Sequence, residues 1–178
     1  MNRRQLLPIL TGGGLCLASG PVPWSATRAL RKNFEFSYEV SAEPEAVFPL
    51  LCPVREYEWL DGWECEMVYS QSGVAETDCV FKTRFREVPE TWHVNVYEPP
   101  RRIEYLIEAP DTLITRLTIE LARSGEGRTQ MHWRRVYTSL SPAGQAQADS
   151  WTSDRERELG LRLEHFLSTG KMLKKGRV

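Results

Sequence analysis

The sequence predicts an α+β fold in which a curved antiparallel sheet of about seven strands wraps around one long C-terminal helix. Three observations predict it. Residues 64–140 are a run of short apolar–polar alternations cut by Gly and Pro turn signals. From Ser141-Pro142 onward the apolar residues recur at helical spacing instead. Ahead of the run stand one alternating strand and a short helical stretch. A sheet covered by a single long helix leaves a cavity between the two layers. Apolar cavities with a few polar groups are where small molecules bind.

The first strand is read at residues 33–40, where Phe34, Phe36, Tyr38 and Val40 alternate with Asn33, Glu35, Ser37 and Glu39. Pro44 and Glu45 suit the first turn of a helix, and Val47, Leu50 and Leu51 give it an apolar face. A second short helix or turn carries Val54 to Trp63 and ends near Gly62. Strands follow at 64–70, 79–85, 91–97, 102–108, 113–121 and 130–140. The breaks between them hold Gly73, Pro89, Pro99-Pro100, Pro110-Asp111 and Gly125-Glu126-Gly127, which reads as a succession of antiparallel hairpins. The strongest pairing signal is the hairpin at Gly125–Gly127. Ser141 before Pro142 caps the closing helix, Trp151, Leu159, Leu163, Phe166 and Leu167 share its face, and Gly170 ends it.

Length and composition fit one domain with its own core, with 41% apolar and 26% charged residues. Charge is unevenly placed around a net −1. Residues 1–32 carry +5 and the tail 171–178 carries +4, leaving 14 basic against 24 acidic residues in 33–170, a body of −10. Such a body repels phosphate backbones, so nucleic acid is not an expected partner. Residues 1–30 read as an export signal: Arg3-Arg4, then Leu6-Leu7 and a small apolar stretch ending near Ala18-Ser19-Gly20 or Ala29. The arginine pair resembles a twin-arginine signal, which implies a periplasmic protein; a cytoplasmic one is the alternative. Pro8, the glycines and Pro21 to Pro23 leave no span of about 18 apolar residues, so no stable membrane insertion of the mature domain is expected. Leu15 before Cys16 departs from a lipoprotein signal. The domain is placed at 31–172, with a basic tail at 173–178. Cys52, Cys65 and Cys79 form no CxxC pair and read as core thiols, with a disulfide conceivable only after export.

The element order resembles the START-like helix-grip (SRPBCC) superfamily, and within it uncharacterised bacterial members near the polyketide cyclase/dehydrase and lipid-transfer branches. The resemblance rests on Cys52-Pro53-Val54-Arg55-Glu56-Tyr57-Glu58-Trp59 with Gly62-Trp63 and Cys65-Glu66-Met67-Val68-Tyr69. It continues through Gly73-Val74-Ala75-Glu76, Cys79-Val80-Phe81 and Tyr97-Glu98-Pro99-Pro100-Arg101-Arg102-Ile103-Glu104-Tyr105. It implies a helix-grip fold over residues 33 to about 172 and a hydrophobic small molecule as partner. It transfers no catalytic signature. The leader departs from it, since such domains are usually cytoplasmic.

Parity assigns the faces of the strands. Leu117, Ile119 and Leu121 point inward, as do Ile103, Tyr105 and Ile107, Trp92, Val94 and Val96, Met67 and Tyr69, Phe81 and Phe85, and Met131 and Trp133. Candidate ligand contacts are therefore Tyr69, Phe81, Trp92, Tyr105, Leu117, Ile119, Trp133 and Tyr137, with Trp151 from the helix. Arg135 shares the face of Trp133 and Tyr137, and Arg155 lies between Trp151 and Leu159; both are candidate polar handles, or else pair with Asp154, Glu158 or water. An inward Arg135 that lacks a carboxylate partner is a cation available to an acidic or carbonyl-bearing ligand. His93 and His132 fall on the outer parity and His165 sits alone on the helix, so no metal centre is read, and no motif asks for a cofactor. Glu104, Glu108 and Glu120 also fall outside, leaving no internal base. The reading is a binder of a hydrophobic or aromatic small molecule, lipid- or polyketide-like. A polyketide cyclase/dehydratase-like enzyme and a protein-interaction module are the alternatives, and no feature specifies an oligomeric state. If the leader directs export, the mature protein recovered from its host begins after Ala18 or near Ala29 by N-terminal sequencing. An intact Met1 on a cytoplasmic species overturns that localisation.

Overall fold

The computed structural model describes residues 30–84 and 88–174. The leader, Phe85 and the last residues of the basic tail lie outside the described residues. Strand β1 (Arg31–Val40) keeps the predicted alternation, with Phe34, Phe36 and Tyr38 half-buried, Val40 fully buried, and Glu35, Ser37 and Glu39 exposed. Helix α1 (Pro44–Val47) opens on its proline and runs into a 3-10 turn over Phe48–Leu51, followed by α2 (Pro53–Glu56). These short pieces bury Val47, Phe48, Leu50 and Leu51. Two indoles tie down the segment after them: Trp59 Nε1 donates to Leu50 O at 2.8 Å and Trp63 Nε1 to Pro53 O at 2.9 Å. Gly62 then turns the chain with φ +80°.

Strands β2 (Cys65–Tyr69), β3 (Val80–Thr83), β4 (Glu90–Glu98), β5 (Arg102–Ala109), β6 (Leu113–Gly125) and β7 (Arg128–Ser139) follow. All pair antiparallel in one seven-stranded sheet of order β1-β7-β6-β5-β4-β3-β2. The sheet is open and curved, the helix-grip architecture. The β6–β7 hairpin turns at Gly127, whose φ is +64°.

Two bulges change the faces. In β4 the register shifts between Val94 and Val96, so Val96 pairs with outward Glu104 and Tyr97 takes the inward place. Tyr97 packs edge-on against Phe48 at 5.4 Å. In β2 a shift between Met67 and Tyr69 pairs Tyr69 with Val80 and leaves it 59% exposed. Val96 and Tyr69 are therefore not lining residues. The other parity assignments on described residues hold, from Phe81, Trp92 and Tyr105 to Leu117, Ile119, Met131 and Trp133, all buried.

The closing helical stretch is divided. Helix α3 (Pro142–Asp149), capped by Ser141 Oγ, stops at a break over residues 150–152, and the long helix α4 (Ser153–Thr169) begins after it. Trp151 sits in that break, buried and stacked on Tyr137 at 6.3 Å. Burying the indole there offsets the helical hydrogen bonds that the break forgoes. Gly170 ends α4 in the left-handed region, as predicted. Leu163 is fully buried, and Leu159, Phe166 and Leu167 pack on the same core.

Gly144 presses α3 onto the β5–β6 turn, where an added Cβ would collide with the Thr112 carbonyl oxygen, a backbone atom. Gly144→Ala is expected to destabilise by about 2 kcal/mol or more in thermal or urea unfolding. Gly125→Ala, whose Cβ would meet its nearest neighbour at 4.0 Å, is expected to leave stability within about 0.5 kcal/mol.

Candidate functional site: a cavity between sheet and helix

A cavity of about 40 Å³ lies where the segment after α2, the concave sheet and α4 meet. Trp59 and Trp63 wall it from one side, Trp92, Tyr105, Leu117, Ile119 and Trp133 from the sheet, and Leu159 from α4. The rings of the wall pack on one another. Trp92 meets Trp63 and Tyr105 edge-on at 5.9 and 5.3 Å and stacks on Phe81 at 5.5 Å. Tyr105 donates its hydroxyl to Leu51 O at 2.8 Å.

Three charged side chains line the same space: Glu56, Glu90 and Arg135. Arg135 faces inward, as its parity predicts, but its charge is taken. Its Nε donates to Glu156 Oε1 at 2.9 Å, with the two side chains only 6% and 1% exposed. The guanidinium also lies 4.4 Å from the Trp151 ring centre and 5.9 Å from that of Trp133. Burial pulls the Arg135 pKa down, and the adjoining Glu156 carboxylate more than restores it, holding it above its ordinary value. The handle expected for an acidic ligand is thus half of an internal ion pair.

Carboxyl groups are present inside after all. Burial pushes Glu56 up to about 8, with the positive charge of Arg135 opposing the rise. Glu90 Oε2 accepts from Trp92 Nε1 at 3.1 Å. Glu90 stands two residues before Trp92, so its inward face follows from strand parity once the strand begins at residue 90. Glu156 precedes Leu159 and Leu163 by three and seven residues, a helical face legible in the sequence once Trp151 is set outside the helix. Glu56 ends a four-residue helix, and no periodicity marks its direction.

Of the remaining candidates, Phe81 backs the wall behind Trp92 and Tyr105. Tyr137 and Trp151 belong to a separate apolar cluster with Ala109, Leu113 and Ala148. Arg155 stacks on the outer side of that cluster, 4.9 Å from the Trp151 ring centre, and lines a surface recess with Gln147 and Ser150. Neither it nor Tyr69 reaches the cavity.

Outside the sheet, Glu104 is held by Asn95, Arg102 and Thr118 at 2.9, 3.0 and 3.2 Å, which keeps it below the usual carboxylate range despite its burial. His132 Nδ1 is 2.8 Å from Ser37 Oγ, and His93 lies 3.7 Å from Asp78. Among the described residues no three metal-ligating side chains cluster, the thiols of Cys52, Cys65 and Cys79 are free, and no helix is long and apolar enough to cross a membrane. A wider recess of about 630 Å³ opens at β3 and β4, walled by Glu64, Glu66, Lys82, Arg84 and Thr91. No aromatic side chain lines it, but it shares Glu90 with the inner cavity.

Fold and cavity together define a helix-grip protein with a site between its layers. The family described as polyketide cyclase/dehydrase and lipid transport matches residues 31–162, and the chain belongs to it. Among proteins of curated function none matches by sequence. The fold is similar to that of norcoclaurine synthase from Thalictrum flavum, solved with dopamine and hydroxybenzaldehyde, with a TM-score of 0.62 at 12% identity over 94% of this chain and 99% of that one. A Rhodobacter sphaeroides protein gives a TM-score of 0.56 at 23% identity over 76% and 91%. DynU16, from the dynemicin biosynthetic locus, gives 0.57 at 17% over 78% of this chain, which spans 48% of DynU16. At these identities the likeness is one of fold.

Because Glu156 is buried, removing its partner leaves an uncompensated charge. Arg135→Met is expected to destabilise by about 3–5 kcal/mol in chemical denaturation, whereas Arg135→Met with Glu156→Leu recovers most of that loss. Equal destabilisation by the single and double variants would show that the pair does not act as a unit.

Proposed function

We propose that the protein binds an apolar small molecule with an aromatic or lipid-like body, in the cavity between the sheet and α4. The observation that carries this reading is the wall itself: Trp59, Trp63, Trp92, Tyr105 and Trp133 converge on one internal space with few polar groups. A family of cyclases, dehydrases and lipid transporters supports it. In the closed form the space admits only a few atoms, since a water occupies about 30 Å³ of liquid. Occupancy by a larger ligand therefore separates the walls. The side at Glu90, where cavity and outer recess adjoin, is the entry we assign. Export through the 1–30 leader would place this binding in the periplasm.

A second reading, a cyclase- or dehydratase-like enzyme, is favoured by one observation. Glu56 is a carboxyl that keeps its proton near neutrality while lining the cavity, the condition for general acid catalysis.

Protein purified from its own host is expected to carry a retained apolar ligand in native mass spectrometry. Leu159→Trp, which fills the cavity from α4, is expected to lose that adduct while keeping its circular dichroism. An adduct unaffected by Leu159→Trp places the site elsewhere, and a bare wild-type protein counts against the carrier reading.

A further inference from the structure

We infer that the polar end of this cavity is a cation site, which holds the ammonium group of an aromatic or alkyl amine between Glu90 and Glu56; the inference rests on the cavity being the ligand site proposed above. The charge balance gives the first reason. Arg135 is the one cation lining the cavity among the described residues, and Glu156 neutralises it at 2.9 Å. Two further carboxyl groups remain with no cation of their own. An acidic ligand would meet both of them and find the guanidinium taken.

The second reason is unused hydrogen-bonding capacity. Glu90 is 8% exposed; its Oε2 is engaged by Trp92 Nε1, and its Oε1 has no partner among the described residues. The Glu56 carboxyl likewise has no hydrogen-bond partner among them, although it lines the cavity. These oxygens are open to accept from water or from a ligand donor. An ammonium brings up to three donors. The third reason is the wall, because four indoles, of Trp59, Trp63, Trp92 and Trp133, line the space and an aromatic surrounding tolerates a cation better than an aliphatic one. Size agrees for the head group alone, since a space of about 40 Å³ accepts an ammonium, and the apolar body enters as the walls separate.

Binding carries a proton signature. Burial holds Glu56 up at about 8, so it is mostly protonated at pH 7. An arriving ammonium stabilises the carboxylate, so the Glu56 proton leaves to the buffer and a carboxylate–ammonium pair forms. The ionisable groups facing Glu56 are Arg135 from β7, Glu90 from β4, Tyr105 from β5 and the thiols of Cys52 and Cys65. Burial raises the phenol and both thiols, so they stay neutral at pH 7 and the release is assigned to Glu56.

The test is calorimetric titration of the full chain with 2-phenylethylamine, 2-phenylethanol and 3-phenylpropionate, in phosphate and in Tris at pH 7. The amine is expected to bind at least tenfold tighter than the alcohol or the acid, with a buffer-dependent heat approaching one proton released. Glu90→Gln and Glu56→Gln are each expected to weaken the amine tenfold or more and to leave the alcohol within twofold, and Glu56→Gln is expected to abolish the proton release. Should a variant fail to fold, the ranking of the three probes on the wild type still decides. An acid that binds as tightly as the amine, or amine affinity unchanged in both variants, overturns the cation site alone. Failure of all three probes to bind overturns the cavity reading with it.

Discussion

Everything at this site depends on the ion pair between Arg135 of β7 and Glu156 of α4. Desolvating either charge alone is expensive, so each can be inside only because the other is. The pair fixes the rotation of α4 over the sheet. With Glu156 turned down onto Arg135, Leu159 and Leu163 fall on the same face and close the core. It also fixes the break before α4. The guanidinium lies 4.4 Å from the Trp151 ring centre, which holds that indole inside while the chain on either side turns away. A buried pair is weak evidence for stability, and its role here is positional: it selects one docking of the helix among several that would bury similar apolar area.

The sheet supplies the complementary constraint through its irregularities. Without the bulge near Asn95, Val96 would face the core and Tyr97 would face solvent. The bulge puts the larger ring against Phe48 and Cys52, where the α1 segment needs a wall. The shift in β2 works the other way, turning Tyr69 out and leaving Cys65 and Met67 as the inward pair. Both of these shifts lie in the half of the sheet that adjoins the outer recess, whereas β5, β6 and β7 pair in register up to a shift between Arg123 and Gly125, beside their hairpin turn. Where the cavity lies, one half of the grip is thus regular and the other is bent by its bulges.

This division explains what the sequence reveals. Leu117, Ile119, Tyr105 and Trp133 sit on regular strands, where period-two alternation reports the face directly, and their placement was legible. Tyr69 and Val96 were misassigned because a bulge leaves no mark on local periodicity. Trp151 misled the helical reading: counted as part of the face, it pointed to Arg155 at the next turn. With the break in place, the inward acidic group is Glu156. Glu56 had no signal, because a four-residue helix is too short to display a period, and its direction is set by Trp59 and Trp63 anchoring the segment behind it. Alternation and turn residues carry the topology. The partner of a buried charge comes from another part of the chain, beyond the reach of local pattern.

The internal carboxyl groups also bear on the choice between carrier and enzyme. A carboxyl with a pKa near 8 is a weak acid that holds its proton at neutral pH, so Glu56 in the unliganded cavity can donate a proton but cannot readily take one. Ring closure or dehydration that begins with proton abstraction needs the reverse state. Arg135 favours that state, but burial outweighs its charge at Glu56. A positive charge brought by the ligand itself would ionise Glu56 and convert the site from donor to acceptor. Binding and proton chemistry are therefore coupled through one group. A neutral apolar ligand leaves Glu56 protonated and the site a passive container, whereas a cationic one creates a base beside it. Which chemistry the cavity supports is decided by the charge of what enters, and that dependence follows from having placed an arginine and its own counter-ion in the core.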